Sequence, residues 1–167
     1  MKKILLYGYG NIGRQDDGLG ILLVERIEEL ALRNGFTMLD FEANYQLNIE
    51  DALTISQYDI VFFADASVNQ TTPVKIAKVE PSAQTEFTMH AMDPSFILHL
   101  CGVLYDASPE TYIITIRASE FEFGQSITAE AAQNLEAAIA EFGRQLSVIG
   151  GKEFALDWNN EIVTLNH

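Results

Sequence analysis

Residues 3–20 read KILLYGYGNIGRQDDGLG, a short apolar run that leads directly into a glycine-rich turn. Residues 3–7 are almost wholly apolar and the run stops at Gly8, which predicts a buried first strand. From Asp17 to Arg33, leucine and isoleucine recur every three or four residues with glutamates between them, as in an amphipathic helix. A strand, a tight turn and a helix in this order are typical of the start of an α/β domain.

The remainder of the chain continues the alternation of strands and helices. Apolar and β-branched runs predict strands over residues 36–41, 59–65, 74–79 and 112–116, and helical periodicity predicts helices over 48–56, 94–104 and 128–148. The run 59–65 is continuous and apolar, so we expect it in the middle of the sheet. The pattern predicts a three-layer α/β/α sandwich with a twisted, mostly parallel sheet. Residues 1–150 are expected to form one domain, and the tail 151–167 could add an edge strand.

Composition excludes several classes of protein. The chain has 167 residues, with 10 basic and 24 acidic side chains and a net charge of −14. Such a field repels nucleic acid and anionic membranes, so a metal cation or a basic polypeptide segment is the better partner. The single cysteine, Cys101, excludes an internal disulfide and a cysteine-rich metal site, which favours a reducing cytoplasm. No apolar stretch approaches the roughly 18–20 residues that span a bilayer.

The glycine-rich turn matches a dinucleotide-binding fingerprint. Gly8, Gly10 and Gly13 have the G-x-G-x-x-G spacing directly after a strand. In a nucleotide site, however, the helix begins within the motif, whereas here Asp16 and Asp17 would point toward the phosphates. A nucleotide-binding module remains an alternative. On either interpretation, the glycines indicate that backbone passes close to a ligand or to another segment.

Two carboxylates and a histidine follow the predicted strands. Asp17 follows the first strand, Asp65 ends the central one, and His90 precedes the helix that Asp93-Pro94 begins. Ligands of open α/β sheets bind at the carboxyl ends of the strands, so these side chains could converge there. An O,O,N donor set suits nickel, zinc or ferrous iron and leaves coordination positions open. The ordinary alternatives are a turn-capping aspartate and a hydrogen-bonding histidine, and for Asp16 we favour stabilisation of the helix N-terminus.

Three motifs together resemble the NiFe-hydrogenase maturation endopeptidases. They are the turn at residues 8–20, the Phe63-Ala64-Asp65-Ala66 segment, and His90 ahead of Asp93-Pro94. Residues 45–47, Pro109 and residues 121–124 are similar to the branch that serves bidirectional, soluble NAD-linked hydrogenases. One departure is that Asp17 stands where several relatives have glutamate, which is one methylene longer. Another is that residues 42–46 replace a glycine-rich loop found in a further branch.

The resemblance implies a cytoplasmic hydrolase with a phosphorylase/hydrolase-like fold. Such an endopeptidase removes the C-terminal extension of a NiFe-hydrogenase large-subunit precursor after nickel insertion. The metal-contacting and catalytic residues would be Asp17, Asp65 and His90, with Asp16 a weaker candidate for orienting the turn or transferring a proton. Nickel would arrive with the precursor, so the resting enzyme would be metal-free. A third hypothesis is a non-catalytic nickel-binding chaperone.

Overall fold

The computed structural model describes residues 1–83 and 92–151 of the chain. Its five strands are β1 (Ile4–Tyr9), β2 (Leu39–Asn44), β3 (Ile60–Ser67), β4 (Val74–Lys78) and β5 (Glu110–Arg117). A 3-10 turn at Gln15–Gly18 precedes α1 (Leu19–Arg33), which is followed along the chain by α2 (Asp51–Ile55), α3 (Pro94–Tyr105) and α4 (Ala129–Ile149). No helix within the described ranges is long and apolar enough to cross a membrane.

The sheet has the order β2-β1-β3-β5-β4. Strands β2, β1, β3 and β5 are parallel, and β4 is antiparallel to β5 at one edge. The prediction of a mostly parallel sheet with residues 59–65 at its centre is therefore confirmed. The chain runs from β1 outward to β2 and returns past β1 to β3, so the strand order reverses between β1 and β3. In open α/β sheets, such a reversal opens a crevice at the carboxyl ends of the strands.

Two apolar layers cover the faces of the sheet. Because side chains alternate along a strand, Leu6 and Phe62 face the layer that contains α1 and α4, whereas Leu5 and Phe63 face α2 and α3. The three-layer α/β/α sandwich is thus confirmed. Cys101 is fully buried in the α2 and α3 layer, as expected for a small core residue.

Several element boundaries differ from the sequence-based predictions. Strand β2 begins at Leu39 rather than residue 36, because the end of α1 continues into a turn. In that turn Gly35 has a φ of +63° and the Phe36 amide donates to the Ala31 carbonyl at 2.8 Å. The helix predicted from Asp17 begins at Leu19, after the 3-10 turn. The tail 151–167 lies outside the described residues except for Gly151.

Candidate functional site

The end of β1 creates the crevice beside Asp65. Strand β3 pairs with β1 only as far as Ala64, opposite Gly8, but it pairs with β5 through Ser67. Asp65 is therefore the first residue of β3 whose β1 side is free of a strand partner. It does not end the strand, as the sequence suggested, because pairing with Thr115 and beyond extends β3 by two residues. Side chains alternate between the two faces of a strand, so Asp65 lies on the same face as Val61 and Phe63, the face covered by α2 and α3.

The glycine turn folds back across this edge of the sheet. A Cβ on Gly10, whose φ is +142°, would lie 2.1 Å from the Asp17 carbonyl oxygen. A Cβ on Gly20 would lie 2.2 Å from the carbonyl oxygen of Ala64. Both distances are far below van der Waals contact, so only glycine permits the 3-10 turn and α1 to approach β1 and β3. The close backbone approach expected from the sequence is between segments of the protein itself, and it brings Asp17 toward Asp65.

Two acidic side chains meet at this edge. Asp17 accepts a hydrogen bond from the Asn11 amide at 3.0 Å and is only partly exposed. Burial, chiefly, and the negative charge of Asp17 raise the pKa of Asp65, which is about 7 overall. Hydrogen bonds from the Ala66 amide, at 2.8 Å, and from the Tyr9 hydroxyl act in the opposite direction. The structure thus brings Asp17 and Asp65 together, and the raised pKa of Asp65 lets its carboxyl group gain or lose a proton near neutral pH.

Tyr9 is a site residue that the sequence analysis missed. Its side chain is 8% exposed, and its hydroxyl is hydrogen bonded to the Asp65 carboxyl group. Burial raises the pKa of Tyr9 well above its usual range, with Asp65 and Asp93 adding to the effect. In the fingerprint, Tyr9 occupies an unspecified position between two glycines. Only the strand register shows its position, because Tyr9 and Asp65 each lie one residue beyond the last β1–β3 pair, at Gly8 and Ala64.

The interpretation of Asp16 as a helix-stabilising acid was wrong. Asp16 lies in the 3-10 turn, its side chain is completely buried, and it does not belong to the first turn of α1. Its carboxylate accepts from the amides of Ser119, Glu120 and Thr128 at 2.8–3.2 Å and from the Thr128 hydroxyl at 2.9 Å. Burial alone would raise the pKa of Asp16, but together these hydrogen bonds outweigh it and lower the pKa. Asp16 therefore ties the glycine turn to the segment 118–128, which agrees with the weaker suggestion that it orients the turn.

His90 lies outside the described residues, so its position is untested. The described chain resumes at Met92, and Asp93 caps α3 by accepting from the Ser95 amide at 2.8 Å. Asp93 also lies close enough to Tyr9 for its charge to raise the pKa of that hydroxyl. The N-terminus of α3 therefore faces the same edge as Asp65. Among the described residues, no group of three or more His, Cys, Asp or Glu side chains is arranged to hold a metal.

The glycine turn does not offer the free amides that a dinucleotide phosphate requires. The Gly10 amide donates to Asn44, and the Asn11 amide donates to the Asp17 carboxylate. The Gly13 amide donates to the Asn11 side chain. The carboxylate of Asp17 thus occupies a place where a nucleotide site would bind an anion. This geometry argues against the nucleotide alternative.

Several solved structures have a fold similar to that of this chain. The [NiFe] hydrogenase maturation protease HycI from Thermococcus kodakarensis matches with a TM-score of 0.65 and 16% identity over 81% of this chain and 86% of its own. The hydrogenase maturating endopeptidase HybD from E. coli matches with a TM-score of 0.64 and 19% identity over 89% and 94%. The fold is that of the hydrogenase maturation proteases.

A further match is the solution structure of an Escherichia coli endopeptidase, with a TM-score of 0.69 and 17% identity over 89% of this chain and 94% of that one. No protein-family model matches the chain, and no curated protein sequence matches it either. At these identities the likeness is one of fold. What the chain does must be argued from its own residues.

Proposed function

We propose that this protein is an endopeptidase that removes the C-terminal extension of a NiFe-hydrogenase large-subunit precursor after nickel insertion. It would recognise the nickel of the precursor through Asp17, Asp65 and His90. The structural neighbours include proteins named hydrogenase maturation proteases and endopeptidases, which supports the reaction class.

The observation that carries the proposal is the meeting of Asp17 and Asp65 beside the crevice between β1 and β3. A carboxyl group whose pKa is raised by a neighbouring carboxylate gains from a shared cation, which replaces the proton and cancels the repulsion. A cation that arrives with a protein substrate would satisfy this pair only in the complex. The pairing therefore supports recognition of a metal carried by the substrate.

Chain geometry is compatible with His90 as the third donor. His90 lies three positions before Asp93, which lies near Tyr9, and three residue steps of extended chain span at most about 10 Å. Imidazole nitrogen with two carboxylates forms a borderline donor set that suits Ni(II) already bound by thiolates.

Each residue of the candidate site would have a defined role in the reaction. Asp17 and Asp65 would bind the nickel of the precursor and so position the polypeptide, and the Tyr9 hydroxyl would hold the Asp65 carboxyl group in place. Nickel bound there would supply a positive charge that polarises the scissile carbonyl. Asp65 is only partly exposed, which limits access of bulk water and strengthens these electrostatic interactions.

A more specific proposal concerns which class of hydrogenase supplies the precursor. Tyr45, immediately after β2, accepts a hydrogen bond from the Asn11 side chain at 3.3 Å and is 63% exposed. This contact supports a role for residues 45–47 in the wall beside the glycine turn. We further propose that the substrate belongs to the soluble NAD-linked hydrogenases and that the protein acts in the cytoplasm.

The test is cleavage of a nickel-loaded precursor, followed by mass spectrometry of its C-terminus. Wild-type protein should cleave it, and Asp65→Asn should not, because the amide cannot replace the carboxylate as a charged ligand. Asp106→Asn, an exposed substitution after α3, is the matched control and should cleave normally. Unchanged cleavage by Asp65→Asn would refute the site assignment, and equal cleavage of nickel-free precursor would refute nickel recognition.

Two further measurements separate the alternative functions. A nickel-binding chaperone predicts tight binding of Ni(II) to the isolated protein in calorimetry, without proteolysis. A nucleotide-binding module predicts retention of NAD or FAD in equilibrium dialysis. The proposed endopeptidase should show neither.

A further inference from the structure

One arginine beside the candidate site is held between aromatic rings. The Arg14 guanidinium lies 5.6 Å from the ring centre of Phe121 and 5.5 Å from that of Phe123. Its Nε donates to the Phe121 carbonyl oxygen at 3.2 Å. This hydrogen bond and the two cation–π contacts restrict the guanidinium to one orientation. The remaining N–H groups are therefore presented at the protein surface in a fixed plane.

Arg14 differs from the other arginines in its electrostatic partners. Four arginines form ion pairs with glutamates, namely Arg26, Arg33, Arg117 and Arg144. No ion pair involves Arg14 among the described residues, even though the chain carries a net charge of −14. The nearby Glu120 carboxylate accepts from the Gln15 side chain instead. An exposed cation that forms no ion pair within residues 1–83 and 92–151 retains its capacity to bind an external anion.

The surroundings of Arg14 are rigid and adjoin the proposed site. Arg14 belongs to the same turn as Asp17, whose amide donates to the Arg14 carbonyl oxygen at 3.1 Å. The segment that carries the two phenylalanines is attached to this turn through Asp16, and the Gly124 amide donates to the Gly13 carbonyl oxygen at 3.0 Å. A ligand bound by the guanidinium would therefore have a fixed relation to Asp17.

The chemistry of this surface selects one type of ligand. A planar guanidinium binds a carboxylate through two parallel hydrogen bonds. Phe123 is 72% exposed beside it, which offers apolar contact to a neighbouring side chain. We infer that Arg14, Phe121 and Phe123 form a recognition site for a carboxylate in an apolar segment of the substrate polypeptide. This inference rests on the proposed function, because that function makes the substrate a polypeptide.

Binding can be measured without any precursor. The probes are acetyl-Leu-Asp-Leu-amide, which has a side-chain carboxylate, acetyl-Leu-Asn-Leu, which has a free C-terminal carboxylate, and the neutral acetyl-Leu-Asn-Leu-amide. Each peptide is titrated into the full chain, and binding is followed by the Arg14 Nε–H signal in NMR spectra. A carboxylate-bearing peptide should shift this signal and the neutral one should not. Comparison of the two acidic peptides shows whether a side-chain or a terminal carboxylate is preferred. Equal effects of all three peptides would overturn the inference.

Variants provide the second arm of the test. Arg14→Gln should abolish the response to the acidic peptides, whereas Arg14→Lys, which keeps the charge but not the planar fork, should weaken it. Arg33→Gln removes the same charge from the last turn of α1, away from the site, and should bind like wild type. An undiminished response in Arg14→Gln, with thermal melts confirming that it folds, would overturn the inference.

Processing kinetics distinguish failure of this inference from failure of the proposed function. With the nickel-loaded precursor, Arg14→Gln should raise KM about three- to tenfold and leave kcat within about twofold, since the lost contact is a binding one. If wild type cleaves and Arg14→Gln has the same KM, the recognition role is wrong. If wild type does not cleave, the proposed function fails, and the peptide titrations still decide whether Arg14 binds carboxylates.

Discussion

Replacing Asp65 with asparagine should stabilise the protein, and the gain should grow with pH. The folded protein raises the pKa of this carboxyl group from 3.8 to about 7, mainly through burial. As pH rises from about 4 to 7, the unfolded chain loses this proton before the folded one, so the free energy of unfolding falls. The penalty is absent below the unfolded pKa and complete above the folded one. Asparagine keeps the side-chain shape and carries no charge, so it avoids the penalty.

The size of the effect follows from the pKa difference. At about 1.4 kcal/mol per pH unit, the shift from 3.8 to about 7 corresponds to at most about 4 kcal/mol of destabilisation at pH 8. About 3 kcal/mol of this should develop between pH 5 and pH 8, where the protein is easier to study. In a chain of this size, 3 kcal/mol changes Tm by roughly 6–12 °C.

The assay is urea unfolding followed by far-UV circular dichroism at several pH values between 5 and 8. The stability of Asp65→Asn relative to wild type should increase from pH 5 to about pH 7 and level off toward pH 8. Asp106→Asn, at an exposed position, should run parallel to wild type. Asp17→Asn should show an intermediate slope, since Asp17 contributes to the raised pKa. Parallel profiles for wild type and Asp65→Asn would refute the claim that Asp65 is buried as a proton-retaining acid.

Three other substitutions, and a fourth that serves as a control, probe the framework of the fold around the site. Asp16→Ala should lower the free energy of unfolding by about 3–6 kcal/mol near neutral pH, because three backbone amides lose their acceptor. This loss should shrink as pH falls through the lowered pKa of the carboxylate. An effect under about 1 kcal/mol in denaturant unfolding would contradict the role of Asp16 as a tether. Gly20→Ala should destabilise the protein by more than about 3 kcal/mol, since the added Cβ would lie 2.2 Å from a carbonyl oxygen. The control Gly102→Ala, where the nearest atom is 3.8 Å from the added Cβ, should stabilise the helix by about 0.5–1 kcal/mol. Similar melting temperatures for the two variants would argue against the close approach of Gly20 to β3. Tyr7→Phe should cost about 1–3 kcal/mol in the same urea assay, because the Tyr7 hydroxyl donates to the buried Asp51 carboxylate at 2.8 Å, and a neutral result would show that this hydrogen bond contributes little.

The proximity of Asp17 and Asp65 was predictable because it depends on strand ends, which are marked locally. Asp17 and Asp65 follow apolar runs, and parallel strands place their carboxyl ends at one edge whatever the details of packing. Asp16 was misinterpreted because its partners lie more than 100 residues away, in the segment 118–128. The adjacent aspartates look equivalent in the sequence, but Asp16 is buried and ties the turn to another segment, whereas Asp17 lies beside Asp65 at the crevice.

The sequence by itself determined the layers, the central strand and the edge at which the acidic residues gather, because hydrophobic periodicity is a local property. Only the tertiary structure decided which carboxyl group has a raised pKa, which tyrosine supports it and which arginine lies between two aromatic rings. Burial, mutual charge and hydrogen bonding depend on residues distant in the chain. Tyr9 and Arg14 occupy unremarkable positions in the glycine turn, and they acquire their chemistry from Asp65 on β3 and from Phe121 and Phe123 ahead of α4.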